Sequence, residues 1–221
     1  MGSLQQYRLV PSLIFLIAFL FINDVSAQTE LFGYGGYMTF SSVPVAKGDL
    51  QFKDVPDYGL GADIQFQRGM SIELLWVSAQ THVKIKEYPS GFVTDLFDLN
   101  VHYFQVGSVV ETNPRAKARP FFAFTLGATL FDAKDASLTD EWLFSLTLGG
   151  GGKFDLSDKL GIRLQARMLV PMTFSGGGLW FGTGGASVAV GAWAPFVSFD
   201  FTAGVYIRLG GQKSVPKYKD L

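Results

Sequence analysis

Between positions 160 and 172, apolar and polar or small residues alternate in strict register. Leu160, Ile162, Leu164, Ala166, Met168, Val170 and Met172 are apolar, and Gly161, Arg163, Gln165 and Arg167 lie between them. A period of two sustained over such a length predicts a β-strand with one apolar and one polar face.

The same period marks seven further segments and predicts eight strands in all. Segment 30–41 sets Phe32, Tyr34, Met38 and Phe40 against Gly33, Gly35, Tyr37 and Thr39. Segment 58–67 sets Tyr58, Leu60, Ala62, Ile64 and Phe66 against Gly59, Gly61, Asp63, Gln65 and Gln67. Arg68-Gly69 then predicts a tight hairpin into 70–83, where Met70, Ile72, Leu74 and Trp76 oppose Ser71 and Glu73. In 97–110, Leu99, Val101 and Tyr103 form the apolar set against Asn100 and His102, with Gln105 out of place on the apolar side. Segments 120–131 and 141–154 alternate Phe122, Phe124, Leu126, Leu130, then Trp142, Phe144, Leu146, Leu148, with Thr, Ser and Gly. The last, 196–209, sets Val197, Phe199, Phe201, Ala203, Val205, Ile207 and Leu209 against Ser198, Asp200, Thr202, Gly204, Tyr206 and Arg208.

Connections between these segments alternate in length. Arg68-Gly69, 111–119 and 155–159 are short; 42–57, 84–96, 132–140 and 175–195 are longer. An antiparallel barrel crossing a membrane has short turns on one side and long loops on the other, with both termini on the short-turn side. The polar faces are poor in Lys and Glu for a surface in water. They suit a narrow lumen, with the apolar faces turned to lipid. Tyr58 and Trp142 then fall near the outer ends of their strands, and Phe66 and Phe154 near the inner ends, where aromatic girdles belong. Segment 175–194 is rich in glycine and carries Leu179, Trp180, Phe181 and Trp193. It is expected to fold as a hairpin prolonging the seventh and eighth strands, with a bulge near Pro195.

Residues 1–27 have the form of an export signal: Arg8, an apolar core at 13–22, and the small-x-small sequence Val25-Ser26-Ala27. Three regions are therefore expected: a cleaved signal peptide at 1–27, an all-β, eight-stranded, up-and-down transmembrane barrel at 28–209, and a short periplasmic tail at 210–221. The net charge of −1 gives no electrostatic case for nucleic acid. The chain has no cysteine, which excludes disulfides and a lipid anchor on a cysteine.

Chemical motifs are sparse. Gly149-Gly-Gly-Gly-Lys153 lacks the leading glycine and the trailing Ser or Thr of a phosphate loop. His82 falls near the outer end of the third strand and His102 on the polar face of the fourth. Neither sits in a recognisable catalytic or metal-ligand pattern, so no catalytic residue, cofactor or metal is expected. The charges of the polar faces carry the one sharp expectation. Asp63, Glu73, Arg163, Arg167, Asp200 and Arg208 should lie inside the barrel and pair across it, because a lone buried charge is costly. Glu73 is expected to meet Arg163 or Arg208, with Asp63 and Arg167 as a second layer.

Together with the leader, three segments carry a family resemblance: His102-Tyr-Phe-Gln-Val-Gly107, Arg119-Pro-Phe-Phe-Ala-Phe-Thr-Leu-Gly127 and the closing Phe201-Thr-Ala-Gly-Val-Tyr-Ile-Arg-Leu209. The chain resembles the small outer-membrane β-barrel proteins of Gram-negative bacteria, in particular the porin-family domains common in Bacteroidota-type bacteria. The resemblance implies a monomer in the outer membrane, in contact with lipid and lipopolysaccharide and inserted by the barrel-assembly machinery. It further implies a non-enzymatic role in envelope structure or in loop-mediated interaction, with a narrow channel for small solutes or hydrophobic compounds as the alternative and a lipid-modifying enzyme behind both. Family members end on an aromatic of the last strand; here Leu209 is followed by 210–221, which implies an internal assembly signal.

Overall fold

The computed structural model describes residues 28–45, 47–134, 140–182, 185–193 and 197–210. The leader 1–27 and the tail beyond Gly210 lie outside the described residues. Eleven strands follow in chain order: β1 (Thr29–Phe40), β2 (Val43–Val45), β3 (Gly48–Phe52), β4 (Val55–Gln67), β5 (Met70–Glu87), β6 (Val93–Glu111), β7 (Ala118–Ala133), β8 (Glu141–Asp155), β9 (Leu160–Gly182), β10 (Gly185–Trp193) and β11 (Ser198–Leu209).

Eight of them close a ring. β1, β4, β5, β6, β7, β8, β9 and β11 pair antiparallel in that order, and β11 returns to β1. From Thr29 the in-register partners run through Ile64, Ile72, Ser108, Phe124, Leu148, Met168 and Phe199, then meet β1 again at Thr39, ten residues on. A stagger of ten over eight strands gives a tilt of about 41° and a radius of about 8 Å, from ordinary strand rise and spacing. Side chains fill an interior of that width. Ten residues of strand at this tilt climb about 25 Å, the height of the apolar band of an outer-membrane barrel.

The outward face supplies that band. Leu60, Ile72, Phe122, Phe124, Leu148, Leu164, Phe201, Val205 and Ile207 are all exposed. Tyr58 meets Trp76 edge-on at 5.8 Å between ring centroids, and Phe104 lies 5.9 Å from Trp142. These aromatics ring the outer edge, and Phe66 and Phe154 stand exposed at the inner one.

In two strands the structure reverses the expected faces. Phe32, Tyr34 and Met38 of β1 point into the barrel, while Leu31 and Tyr37 are exposed outside. The reason is space. A Cβ on Gly61 would lie 2.3 Å from the Phe32 ring, and one on Gly59 would lie 2.4 Å from that of Tyr34, so these inward glycines make room for the rings. In β6, Leu99, Val101, Tyr103 and Gln105 are buried inside, and Asn100 and His102 turn outward. Gln105 was thus on the lumen side, where it donates to Ser145 at 2.5 Å and accepts from Thr125 and Thr147 at 3.3 Å each.

The outer side is more ordered than the expected loops. β5 and β6 run on to Glu87 and Val93, leaving a connection of only 88–92, and β3 pairs with the β5 extension. β9 and β10 form the expected hairpin, with the register shift between Val190 and Ala192; Pro195 lies outside the described residues. The side chains of Leu179, Trp180, Phe181 and Trp193 lie there too. On the inner side, the Arg68-Gly69 turn needs the left-handed backbone that glycine supplies, with φ of 75° at Gly69.

Candidate functional site

The lumen divides by height. Towards the outer mouth, Met38, Val55, Val77, Ala79, Val101, Tyr103 and Leu169 form an apolar core. Below it, inward positions of all eight ring strands carry charge. This lower layer is the candidate site.

Arg163 is its centre. Its guanidinium donates to Asp63 at 2.7 Å, to Glu73 at 2.5 Å and, through Nε, to Gln165 at 2.7 Å. The guanidinium carbon lies 4.0 Å from the centroid of Phe32 and 4.5 Å from that of Phe121, so aromatic faces take up what the carboxylates leave. Arg167 reaches the same Glu73 oxygen at 2.9 Å and Gln165 at 3.0 Å.

Lys153, at the end of the glycine run, donates to Glu30 and Asp63 at 2.7 Å each and to Glu111 at 2.8 Å, which uses all three ammonium hydrogens. Arg119 donates through Nη1 to both Glu111 oxygens at 2.9 Å and through Nη2 to Glu30 at 2.8 Å and the Tyr206 hydroxyl at 3.1 Å. Asp155 accepts from Arg119 at 3.1 Å, from Arg208 at 3.2 Å, and from the Tyr206 hydroxyl. Arg208, nearest the inner mouth, also reaches Glu30 at 3.1 Å and the Asp158 carbonyl at 3.1 Å.

The layer thus joins Arg119, Lys153, Arg163, Arg167 and Arg208 to Glu30, Asp63, Glu73, Glu111 and Asp155, five charges of each sign. Of the residues singled out in the sequence, Glu73 meets Arg163. Arg167 meets Glu73 rather than Asp63, and Arg208 meets Glu30 and Asp155 rather than Glu73. Asp200 stands apart: Arg167 is its in-register neighbour but turns away towards Glu73.

The sequence reading missed Glu30, Glu111, Arg119, Lys153 and Asp155. Parity carried the signal for two of them: Arg119 shares the inward phase of Ala123 and Thr125, and Lys153 that of Ser145 and Thr147.

Neither histidine faces this layer. His82 lies at the outer rim, held by Asp98 at 2.7 Å and Asp95 at 3.1 Å. The Asp98 hydrogen bond holds its pKa above the usual histidine range. His102, expected on the polar face, stacks outside against Trp76 at 6.3 Å.

No family model matches the chain, and no curated protein matches it in sequence. Solved structures do match in fold. The outer membrane protein OprG from Pseudomonas aeruginosa superposes with a TM-score of 0.59 at 13% identity, over 85% of this chain and 100% of that one. Neisserial surface protein A superposes with a TM-score of 0.54 at 11% identity, over 82% of this chain and 97% of that one. Closed ring, apolar band and superposition agree: the chain is an eight-stranded transmembrane β-barrel with the fold of the small outer-membrane β-barrel proteins, and the outer membrane is where that fold sits.

Proposed function

We propose that this protein is a closed, non-enzymatic barrel that serves the outer membrane as a monomeric structural element and presents its outer strands to partners. The observation that carries this reading is the neutral charge layer. It ties β1, β4, β5, β6, β7, β8, β9 and β11 to one another through side chains that are almost wholly buried except at the inner mouth, where Arg208 and Asp155 are partly exposed. A layer in which every charged group is ion-paired offers neither a free nucleophile nor a free base, and it fills the cross-section a solute would need. Above the membrane, Tyr88 and Phe92 stand 61% and 72% exposed on the β5–β6 hairpin, which makes that hairpin the natural contact for lipopolysaccharide or another surface partner.

A second reading has one observation in its favour. The apolar upper lumen is chemically suited to a small hydrophobic compound entering from outside. Purified protein in liposomes separates the two. The closed barrel gives no conductance and no solute-dependent swelling; discrete conductance steps, or uptake of a hydrophobic dye, would replace the first reading by the second.

A further inference from the structure

The neutral layer leaves two carboxylates over. Among the described residues, the lumen holds five basic side chains and seven acidic ones, and the two without a basic partner are Asp57 and Asp200. They are 4% and 0% exposed and lie within hydrogen-bonding reach of each other. Two buried carboxylates side by side are strongly unfavourable unless a proton or a metal cation joins them.

We propose that Asp57 and Asp200, with the hydroxyls of Tyr34 and Thr202, form a binding site for a hard divalent cation of the calcium type inside the barrel, above the charge layer. The strand order builds it. Gly36 of β1 is the in-register partner of both Asp57 on β4 and Thr202 on β11, and Met38, two residues on, is that of Asp200. With no side chain at Gly36, the Thr202 side chain lies over it, its methyl 2.3 Å from where a Cβ would stand.

No hydrogen bond from a basic side chain or a hydroxyl reaches either oxygen of Asp57 or of Asp200, and the Tyr34 and Thr202 hydroxyls have no hydrogen-bond partner in the protein. Tyr34 is 8% exposed and Thr202 7%, so neither hydroxyl is turned out to solvent. Six oxygen donors match the lower end of calcium coordination, and a set with no nitrogen or sulfur excludes the softer metals. With two carboxylates only, the double charge of the ion balances the site. Magnesium demands a regular octahedron and gives up water reluctantly, so this irregular set discriminates against it. The one cation beside the site, Arg167, donates through Nη2 to Glu73 and Gln165 below, and its Nε and Nη1 have no hydrogen-bond partner in the protein.

The test uses the full chain refolded in detergent with EDTA and titrated calorimetrically with calcium chloride, then magnesium chloride. One calcium per barrel is expected, with magnesium weaker by about tenfold and a rise in unfolding temperature on calcium addition. Asp57→Asn with Asp200→Asn should abolish both the heat and the temperature shift while the barrel still folds, as judged by its heat-dependent gel mobility. Where that double variant fails to fold, Tyr34→Phe with Thr202→Val keeps the charges and should weaken calcium several-fold. Absence of calcium binding by the folded wild type overturns the site, as does unchanged affinity in the folded variants. Equal affinity for magnesium overturns the assignment to calcium.

Discussion

Asp63 and Glu73 stand directly opposite each other across the β4–β5 ladder, two carboxylates in register on the inward face, and Arg163 bonds to both. Like charges in that position repel, so the hairpin is stable only once a strand ninety residues further along has delivered its guanidinium. The charge layer is therefore a closure device: it is satisfied only in the complete ring.

Glu73→Ala leaves Arg163 and Arg167 without one of their shared acceptors in a buried site. Removing one partner of a buried ion pair costs about 3–5 kcal/mol. The midpoint of urea unfolding from lipid vesicles should fall accordingly. An unchanged midpoint would show that the layer contributes nothing to stability.

Depth should order the basic residues. Lys153, with a side chain 1% exposed, serves three carboxylates, whereas Arg208 is 13% exposed near the inner mouth. Lys153→Met is expected to cost about 3–5 kcal/mol and Arg208→Gln about 1 kcal/mol. The same unfolding experiment reads the order, and a reversed order contradicts the assignment of depth.

Gly161 is needed for Tyr206. A Cβ there would lie 2.1 Å from the Tyr206 hydroxyl, which bonds Arg119 and Asp155. Gly161→Ala should cost about 1–3 kcal/mol by overpacking. Combining it with Tyr206→Leu should cost clearly less than the sum of the two single changes, because the clash and the ring vanish together. Strict additivity would place the two residues out of contact.

At the outer rim, stability should vary with pH through His82 and Asp95. The pKa of His82 is raised above 6.5 by Asp98 first and by Asp95 as well. Its contribution is thus complete below 6.5 and fades as pH climbs through the folded value. The pKa of Asp95 is lowered, chiefly by its bond to Lys84, so its contribution holds above 3.8 and is lost as pH falls through the folded value. Protection of the amides along 81–98, relative to their intrinsic exchange rate at each pH, should therefore be greatest between those limits and fall on either side. His82→Gln should remove the change on the alkaline side alone.

Most of the ring was legible in the alternation, because lipid on the outside demands an apolar residue at every second position. The two misjudged faces share a cause. In the upper lumen the inside is apolar as well, so Leu99, Val101 and Tyr103 satisfy either orientation and composition cannot choose. Gln105 alone in β6 broke the tie, through bonds to Ser145, Thr125 and Thr147 that only the closed barrel creates. The charge layer was half legible. Glu111 and Asp155 are the last residues of their strands and resemble ordinary turn polars; the ring stagger is what carries them to Arg119.

Thr29 pairs with Leu209, so the first and last strands lie side by side along their whole length. Chain order is then incidental to the sheet. A gene in which Leu209 is linked back to Thr29, and new ends are opened in the connection 88–92, should encode the same ring with the same charge layer. The barrel would lose one seam and gain another, and only the order in which its hairpins leave the ribosome would differ.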